Sequence, residues 1–237
     1  MRVVLGSIFR NSTPYLDRYF AQVGALANEL RERGDTLRPI LAEGDSTDGT
    51  FEQLQERTTA LQAEGVACEL IQVSHGGPEY GSVDKAERWR NISRVCNALL
   101  DLVQPDDDML IYVESDLIWE PATMLQLLHN ASLTGVGVAV PMCFLDGTRQ
   151  FYDIWGHRRN SLNFQPHAPF HPDLETWRGA TLLGMDSAGS CLVMLADVAR
   201  RSRFDPADQG IVGWCASIRS LGQGIWLDPS VTVVHPR

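Results

Sequence analysis

Hydrophobic positions along this chain switch between two spacings. Short apolar runs alternate with longer segments in which apolar residues recur every three to four positions. Residues 2–8 read as a buried strand. Thr13-Pro14 then opens a helix, with proline at the first position, where its missing N–H costs nothing. Helical spacing carries on through residues 15–33 and stops at Gly34. Residues 37–42 predict a second strand, 50–64 a helix ending near Gly65, and 68–73 a third strand. Residues 85–103 predict a helix, 109–113 a fourth strand, and Pro121 starts a helix running to about Asn130. Strands alternating with helices of this length predict βαβ units, hence an α/β fold whose mainly parallel central sheet is flanked by helices.

The second half changes character. Residues 136–140 predict a strand, and 191–195 and 225–234 predict late strands flanking a helix near 212–221. Between them, residues 144–180 are rich in aromatics, His, Pro and Arg and show no period. A connection this long inside a compact domain is usually functional, and its large aromatics predict an ordered lid or binding wall.

Composition narrows the picture. No repeat or compositional break divides the 237 residues, so one domain is expected, and an apolar share of 44% is ample for its core. No run of eighteen apolar residues predicts a membrane span, and the N-terminus enters a strand without a signal-peptide pattern. Five scattered cysteines, odd in number and without C-x-x-C spacing, predict buried free thiols and a reducing cytoplasm. The sequons at Asn91 and Asn130 then carry no weight. A formal net charge of −10 argues against a general nucleic-acid binder. An anionic substrate would have to be met by a metal and a few placed arginines.

The candidate chemistry starts where the fourth strand ends, at Glu114-Ser-Asp116. Residues i and i+2 of a strand point the same way, so both carboxylates can aim at one point past the strand end. Open α/β sheets bind ligands there, and hard oxygen ligands suit Mg²⁺ or Mn²⁺ carrying a diphosphate. The second strand ends in Glu43-Gly-Asp-Ser-Thr-Asp-Gly-Thr50. That turn offers acceptors at a sheet edge, and equally a plain Asx-type turn with an N-cap from Ser46, Thr47 or Asp48.

In this order of elements, these two stretches resemble the nucleotide-binding half of GT-A glycosyltransferases. Glu114-Ser-Asp116 looks like their D-x-D motif with Glu in the first place. Phe151-Tyr-Asp-Ile-Trp155, followed by Arg158, is similar to a Tyr-Asp-x-Trp motif of the fungal capsule-associated α-1,3-mannosyltransferases, whose Glu-Asn-Asp-Ser-x-Asp-x-Thr element also resembles residues 43–50. Met185-Asp-Ser-Ala-Gly-Ser-Cys191, Ser220-Leu-Gly222 and Val233-Val-His235 resemble pieces of the fungal Golgi mannan-polymerase mannosyltransferases. The likeness runs in order along nearly the whole chain. It implies one GT-A domain, with residues 1–118 as nucleotide-binding half and 119–237 as acceptor-binding half including the 144–180 loop.

The resemblance implies roles residue by residue. Asp116, His235 and Glu114 would hold Mn²⁺ or Mg²⁺, imidazole being acceptable to Mn²⁺. Arg10, Glu43, Asp45, Glu114 and Ser115 would meet the nucleotide sugar, as would Arg90, Arg94 and Asn97, which share one helix face. Trp155, Arg158 and Trp214 would face the acceptor, and Asp153 and Asp186 the reacting centre. Inverting members carry a base carboxylate at the start of the late helix. Here that place reads Gly210-Ile-Val-Gly-Trp-Cys215, with Asp205 and Asp208 out of register upstream, which favours retention. The implied activity is transfer of a hexose, mannose among the candidates, from a GDP- or UDP-sugar to an acceptor hydroxyl. A glycan, a small metabolite and a modified nucleobase all stay open as acceptor, as does oligomeric state. A non-catalytic nucleotide-sugar-binding module and a sugar nucleotidyltransferase are the competing readings. The second should carry a Gly-rich basic signature after the first strand, which Gly6-Ser-Ile-Phe-Arg-Asn11 lacks.

Overall fold

Alternation along the first and fourth strands sends successive side chains to opposite faces of a sheet that is covered on both sides. The computed structural model describes every residue except 79, 81–84, 134, 179–181 and 206–209. Its first half is β1 (Arg2–Phe9), α1 (Leu16–Glu32), β2 (Thr36–Glu43), α2 (Thr50–Ala63), β3 (Glu69–Gln72), α3 (Ala86–Leu100) and β4 (Met109–Val113). Next come α4 (Pro121–Ser132), β5 (Val138–Leu145) and a small hairpin of β6 (Arg158–Arg159) and β7 (Leu162–Asn163). The remainder is β8 (Leu183–Met185), β9 (Cys191–Leu195), α5 (Ala196–Arg201), α6 (Ile211–Ser220) and β10 (Ile225–His235).

The eight-stranded sheet runs β3-β2-β1-β4-β9-β5-β10-β8. Pairs β1–β2, β2–β3, β1–β4 and β5–β10 are parallel. Strand β9 runs antiparallel to both β4 and β5, and β8 antiparallel to β10. The predicted mainly parallel α/β sheet is therefore present, with β9 as a reversed insertion at its centre. Val3, Leu5, Ile111 and Val113 face the layer of α1, α2 and α4, while Val4, Leu110 and Tyr112 face that of α3, α5 and α6.

Four short elements escape the sequence reading, the hairpin strands β6 and β7 among them. Strand β8 is only three residues long, and α5 is a six-residue helix directly after β9, too short to show a period. Helix α1 is preceded by a separate 3₁₀ turn, Thr13–Tyr15, that carries Pro14. The aperiodic stretch after β5 is ordered across its described residues, 144–178; residues 179 and 180 lie outside them, as does Asp208. It lacks a period because its aromatics pack on one another. Phe151 lies 5.2 Å from Phe164 and 5.0 Å, edge-on, from the His157 ring.

Trp214, expected at the acceptor, is a core residue with no exposed surface. It stacks on Phe204 at 4.5 Å, meets Tyr112 edge-on at 5.3 Å, and donates its Nε1–H to Ser202 Oγ at 2.7 Å. Trp214→Ala should therefore cost stability rather than specificity, about 3–5 kcal/mol for a fully buried ring. An unfolding free energy from denaturant titration within about 1 kcal/mol of the parent protein's, on the order of the extrapolation error, would remove this assignment.

Candidate functional site

An isolated β-bridge brings together the two stretches of the chain that carry the candidate ligands, one mid-chain and one near residue 235. Ile118 pairs antiparallel with Val234: its N–H donates to Val234 O at 2.7 Å, and Val234 N–H donates back at 2.9 Å. Asp116 and His235 flank that bridge, and their side chains meet, with Asp116 Oδ2 3.1 Å from His235 Nε2. Asp116 Oδ1 is buried without a hydrogen-bond partner among the described residues. His235 Nδ1 lies 2.5 Å from the Pro236 carbonyl, which can only accept, so Nδ1 carries the proton and Nε2 faces the carboxylate. The ring is held from the side by Tyr152, stacked at 3.7 Å and 18°. The backbone behind Asp116 is fixed by Arg18, whose guanidinium donates to Asp116 O at 2.6 Å.

This donor set suits a divalent cation. It combines an orphaned hard oxygen with an imidazole whose far nitrogen is anchored, the usual arrangement for a metal-bound histidine. Among the described residues, no three His, Cys, Asp or Glu side chains are arranged to cage an ion by themselves. A two-ligand site that leaves the other positions to substrate phosphates and water is how Mg²⁺-type sites are usually completed.

Asp116, with His235 behind it, lines a cavity of about 520 Å³ beyond the carboxyl ends of β1 and β4, together with Arg10, Ser115, Glu114, Asp153, Trp89 and Trp155 among others. Burial, reinforced by the nearby charges of Asp116 and Asp153, pushes the Glu114 carboxyl up to about 8. Burial would also raise Asp153, but contacts from His157, Gly156 and Ser190 outweigh it and hold that carboxyl below its ordinary value. Burial lowers His235, while the hydrogen bond and charge of Asp116 raise it, with a net upward shift. A cavity floor with this many acids favours an incoming cation.

The remaining expected site residues divide. Arg10 lines the cavity, donates to Gly77 O at 2.7 Å, and keeps its Nε buried without a partner among the described residues. Trp155 lines it too and stacks face to face with Trp89 at 4.6 Å and 7°. Arg158 sits over the outer face of Trp155, 5.6 Å from the ring centre, and does not line the cavity.

The acids after β2 are used internally. Buried Glu43 accepts from Ser46 N–H at 2.5 Å and from Gln72 at 3.1 Å. Asp45 accepts from the N–H groups of His75 (2.8 Å) and Gly76 (2.6 Å), and it sets the loop rather than lining the cavity. Asp48 accepts from Thr13 and from Thr50 N–H, which stitches the loops after β1 and β2 together.

On α3, Arg90 is exposed and paired with Glu87, and Arg94 is exposed. Asn97 is tied to the backbone of Phe204 by two hydrogen bonds of 2.9 Å. None of these three lines the cavity, because that face of α3 turns away from it. Asp186 accepts from Ser161 N–H at 2.7 Å and borders a separate surface cleft with Arg219 and Trp226. Sequence reasoning missed Trp89, Tyr152 and His157. Tyr152 sits inside the motif that was read, and His157 follows Asp153 at a spacing of four, the one local signal available.

The acid cluster predicts a pH response of the metal-free protein. A carboxyl raised from 4.5 to about 8 binds more protons folded than unfolded across that window, so stability falls as pH rises through it. His235, also raised, contributes stability that is full below its unfolded value and lost as pH climbs through the folded one, which is the same sign. Between pH 6 and 8 the loss should reach about 2 kcal/mol, since each proton linked over one pH unit is worth roughly 1.4 kcal/mol. Melting curves of metal-free protein check this. Glu114→Gln should flatten the slope, and an equally steep slope in that variant would move the effect elsewhere.

No family model matches the sequence, and no curated protein sequence matches it. Solved structures do. The mannosyltransferase PcManGT from Pyrobaculum calidifontis, in complex with GDP-Man and Mn²⁺, superposes with a TM-score of 0.62 at 12% identity, over 99% of this chain and 56% of that one. GalNAc-T7 with UDP, GalNAc and Mn²⁺ gives 0.62 at 13% identity, over 100% and 43%. S. aureus TarS gives 0.59 at 11%, over 100% and 37%. This chain has a GT-A fold. It spans little more than half the length of PcManGT and less of the other two. Among the described residues, no helix is long and apolar enough to cross a membrane.

Proposed function

We propose that this chain is a metal-dependent glycosyltransferase that moves a hexose, mannose foremost, from a nucleoside-diphosphate sugar to an acceptor hydroxyl with retention. The observation that carries the reading is the Asp116–His235 contact at the edge of the cavity of about 520 Å³. Had these two side chains stood on opposite faces, the reading would have ended there. The Mn²⁺ and GDP-Man bound by PcManGT, and the Mn²⁺, UDP and GalNAc bound by GalNAc-T7, support the same cofactor and donor class. The likeness of Tyr152-Asp-Ile-Trp155 to the capsule-associated mannosyltransferase motif favours mannose.

Mn²⁺ or Mg²⁺, held by Asp116 and His235, would supply electrostatic stabilisation of the departing diphosphate. Arg10 meets the same diphosphate from the end of β1, its buried Nε being without a partner among the described residues and so ready to donate. Ser115 and the loops stitched by Asp45 and Asp48 shape the nucleotide end. Trp155, held between Trp89 and Arg158, forms part of the cavity wall at the sugar end. Asp153, kept ionised, faces the sugar ring and opposes the positive charge that develops there as the bond to the leaving oxygen breaks. The start of α6 carries no acid, so no separate base is available at that position. In retention the acceptor attacks from the face the diphosphate leaves, and the departing phosphate oxygen takes its proton. Five buried free thiols fit a reducing cytoplasm.

The test is a screen of GDP- and UDP-sugars with Mn²⁺, reading released nucleoside diphosphate and thermal shift together. One donor should be turned over, slowly by water and faster once an acceptor hydroxyl is supplied. A shift without release for every donor would make the chain a binding module. No shift with any nucleoside diphosphate would remove the donor site altogether.

A further inference from the structure

Asp153, inside the motif Tyr152-Asp-Ile-Trp155, is lodged in a cradle of Gly156, His157, Gly189 and Ser190. One carboxylate oxygen, Oδ1, accepts from Gly156 N–H at 3.0 Å; the other, Oδ2, faces Ser190 Oγ at 3.3 Å and His157 Nδ1 at 3.3 Å. Two glycines press against it. A Cβ at Gly189 would stand 2.1 Å from Oδ2, and one at Gly156 2.7 Å from Oδ1.

His157 has no exposed surface and is enclosed by the rings of Phe151 and Phe164. Its Nε2 lies 3.2 Å from the Pro141 carbonyl. A carbonyl only accepts, so Nε2 must carry a proton. The other nitrogen, Nδ1, is buried 3.3 Å from Asp153 Oδ2 without a directed hydrogen bond to any described residue, and a lone pair there would be repelled by that carboxylate. Both ring nitrogens therefore confront acceptors inside an apolar shell, which is a costly arrangement unless the ring is a cation paired with Asp153. Glu114, just past β4, acts on Asp153 as a nearby acid, and Asp116, Arg10, Arg88 and His75 line the same cavity.

We propose that His157 is a positioning residue for the transfer reaction: its imidazolium pairs with Asp153 from beneath and keeps that carboxylate anionic and aimed into the cavity beside two other acids. The proposal rests on the glycosyltransferase reading for its role and on geometry alone for the ion pair. Without the pair, a third acid in the same cavity would be driven to its neutral form, which cannot oppose positive charge on a sugar ring.

Two measurements test it. Ring ¹⁵N shifts of His157 report which nitrogens hold protons. Both should be protonated in the parent protein, and only Nε2 in Asp153→Asn. A singly protonated ring in the parent protein overturns the pair, whatever the enzyme does. In turnover, His157→Gln should lower kcat at least tenfold with the donor KM within about twofold, because the donor is still bound and only the anion is lost. An unchanged kcat overturns the positioning role. Should the parent protein turn over no donor, the functional reading falls while the ring shifts still decide the pair. If His157→Gln does not fold, the comparison of the parent protein with Asp153→Asn decides it alone.

Discussion

Asp116→Asn is expected to lower metal-dependent turnover about 10³-fold and to leave the melting temperature unchanged or higher. Asparagine keeps the shape of the side chain and can still meet His235, so the bridge between Ile118 and Val234 stays in place. What disappears is the anionic hard oxygen, orphaned among the described residues, that faces the cation position. Metal stabilisation of a leaving group is worth several kcal/mol, and about 4 kcal/mol corresponds to roughly 10³ in rate. Stability should not suffer, because one of three mutually repelling acids has been neutralised. The experiment follows nucleoside diphosphate release against Mn²⁺ concentration. Turnover within tenfold of the parent protein at saturating Mn²⁺ would take the cation away from Asp116. His235→Ala should keep activity but demand more Mn²⁺, which separates the two ligands.

The second large effect is expected from one methyl group. Gly189→Ala places a Cβ 2.1 Å from Asp153 Oδ2, and the far end of that aspartate must move aside. The backbone at this position has no positive φ, so alanine is conformationally acceptable and the fold should lose only about 1 kcal/mol. The reaction should lose far more. A shift of about 1 Å in a group facing the reacting centre costs roughly 10²-fold. Donor binding, set by Arg10 and the metal ligands, should persist, so kcat falls while the nucleoside diphosphate still raises the melting temperature. Near-normal kcat in Gly189→Ala, with Asp153 displaced in its structure, would show that this carboxylate is a bystander.

The periodic parts of the chain were legible because their signal is local. Helices α1, α2, α3 and α4 and strands β1 to β4 fall within a few residues of the predicted ranges, and Gly34 and Gly65 end helices at positive φ as expected. Elements shorter than a period were not legible: β8 and α5 bury their few apolar residues against neighbours distant in sequence. The candidate site divides the same way. Glu114 and Asp116 were visible as acids after an apolar strand. Glu43 and Asp45 looked equally suitable, and the structure shows both occupied by hydrogen bonds to their own loops. Trp214 and Trp155 are both tryptophans in uncertain surroundings. Trp214, on α6, is sealed against Tyr112 and Phe204, and Trp155 lines the cavity, a difference set by what packs over each.

The sequence by itself determined the α/β architecture, the acid-rich end of β4, and the free-thiol character of the cysteines, because each depends on local spacing or residue type. Tertiary structure alone decided that Asp116 meets His235 across 118 intervening residues' worth of folding, that Trp89 and Trp155 stack, and that His157 lies beneath Asp153. Such contacts depend on strand order and on a single bridge between Ile118 and Val234. No local pattern encodes them, since the same side chains at the same spacings would serve equally well as surface residues in another strand order.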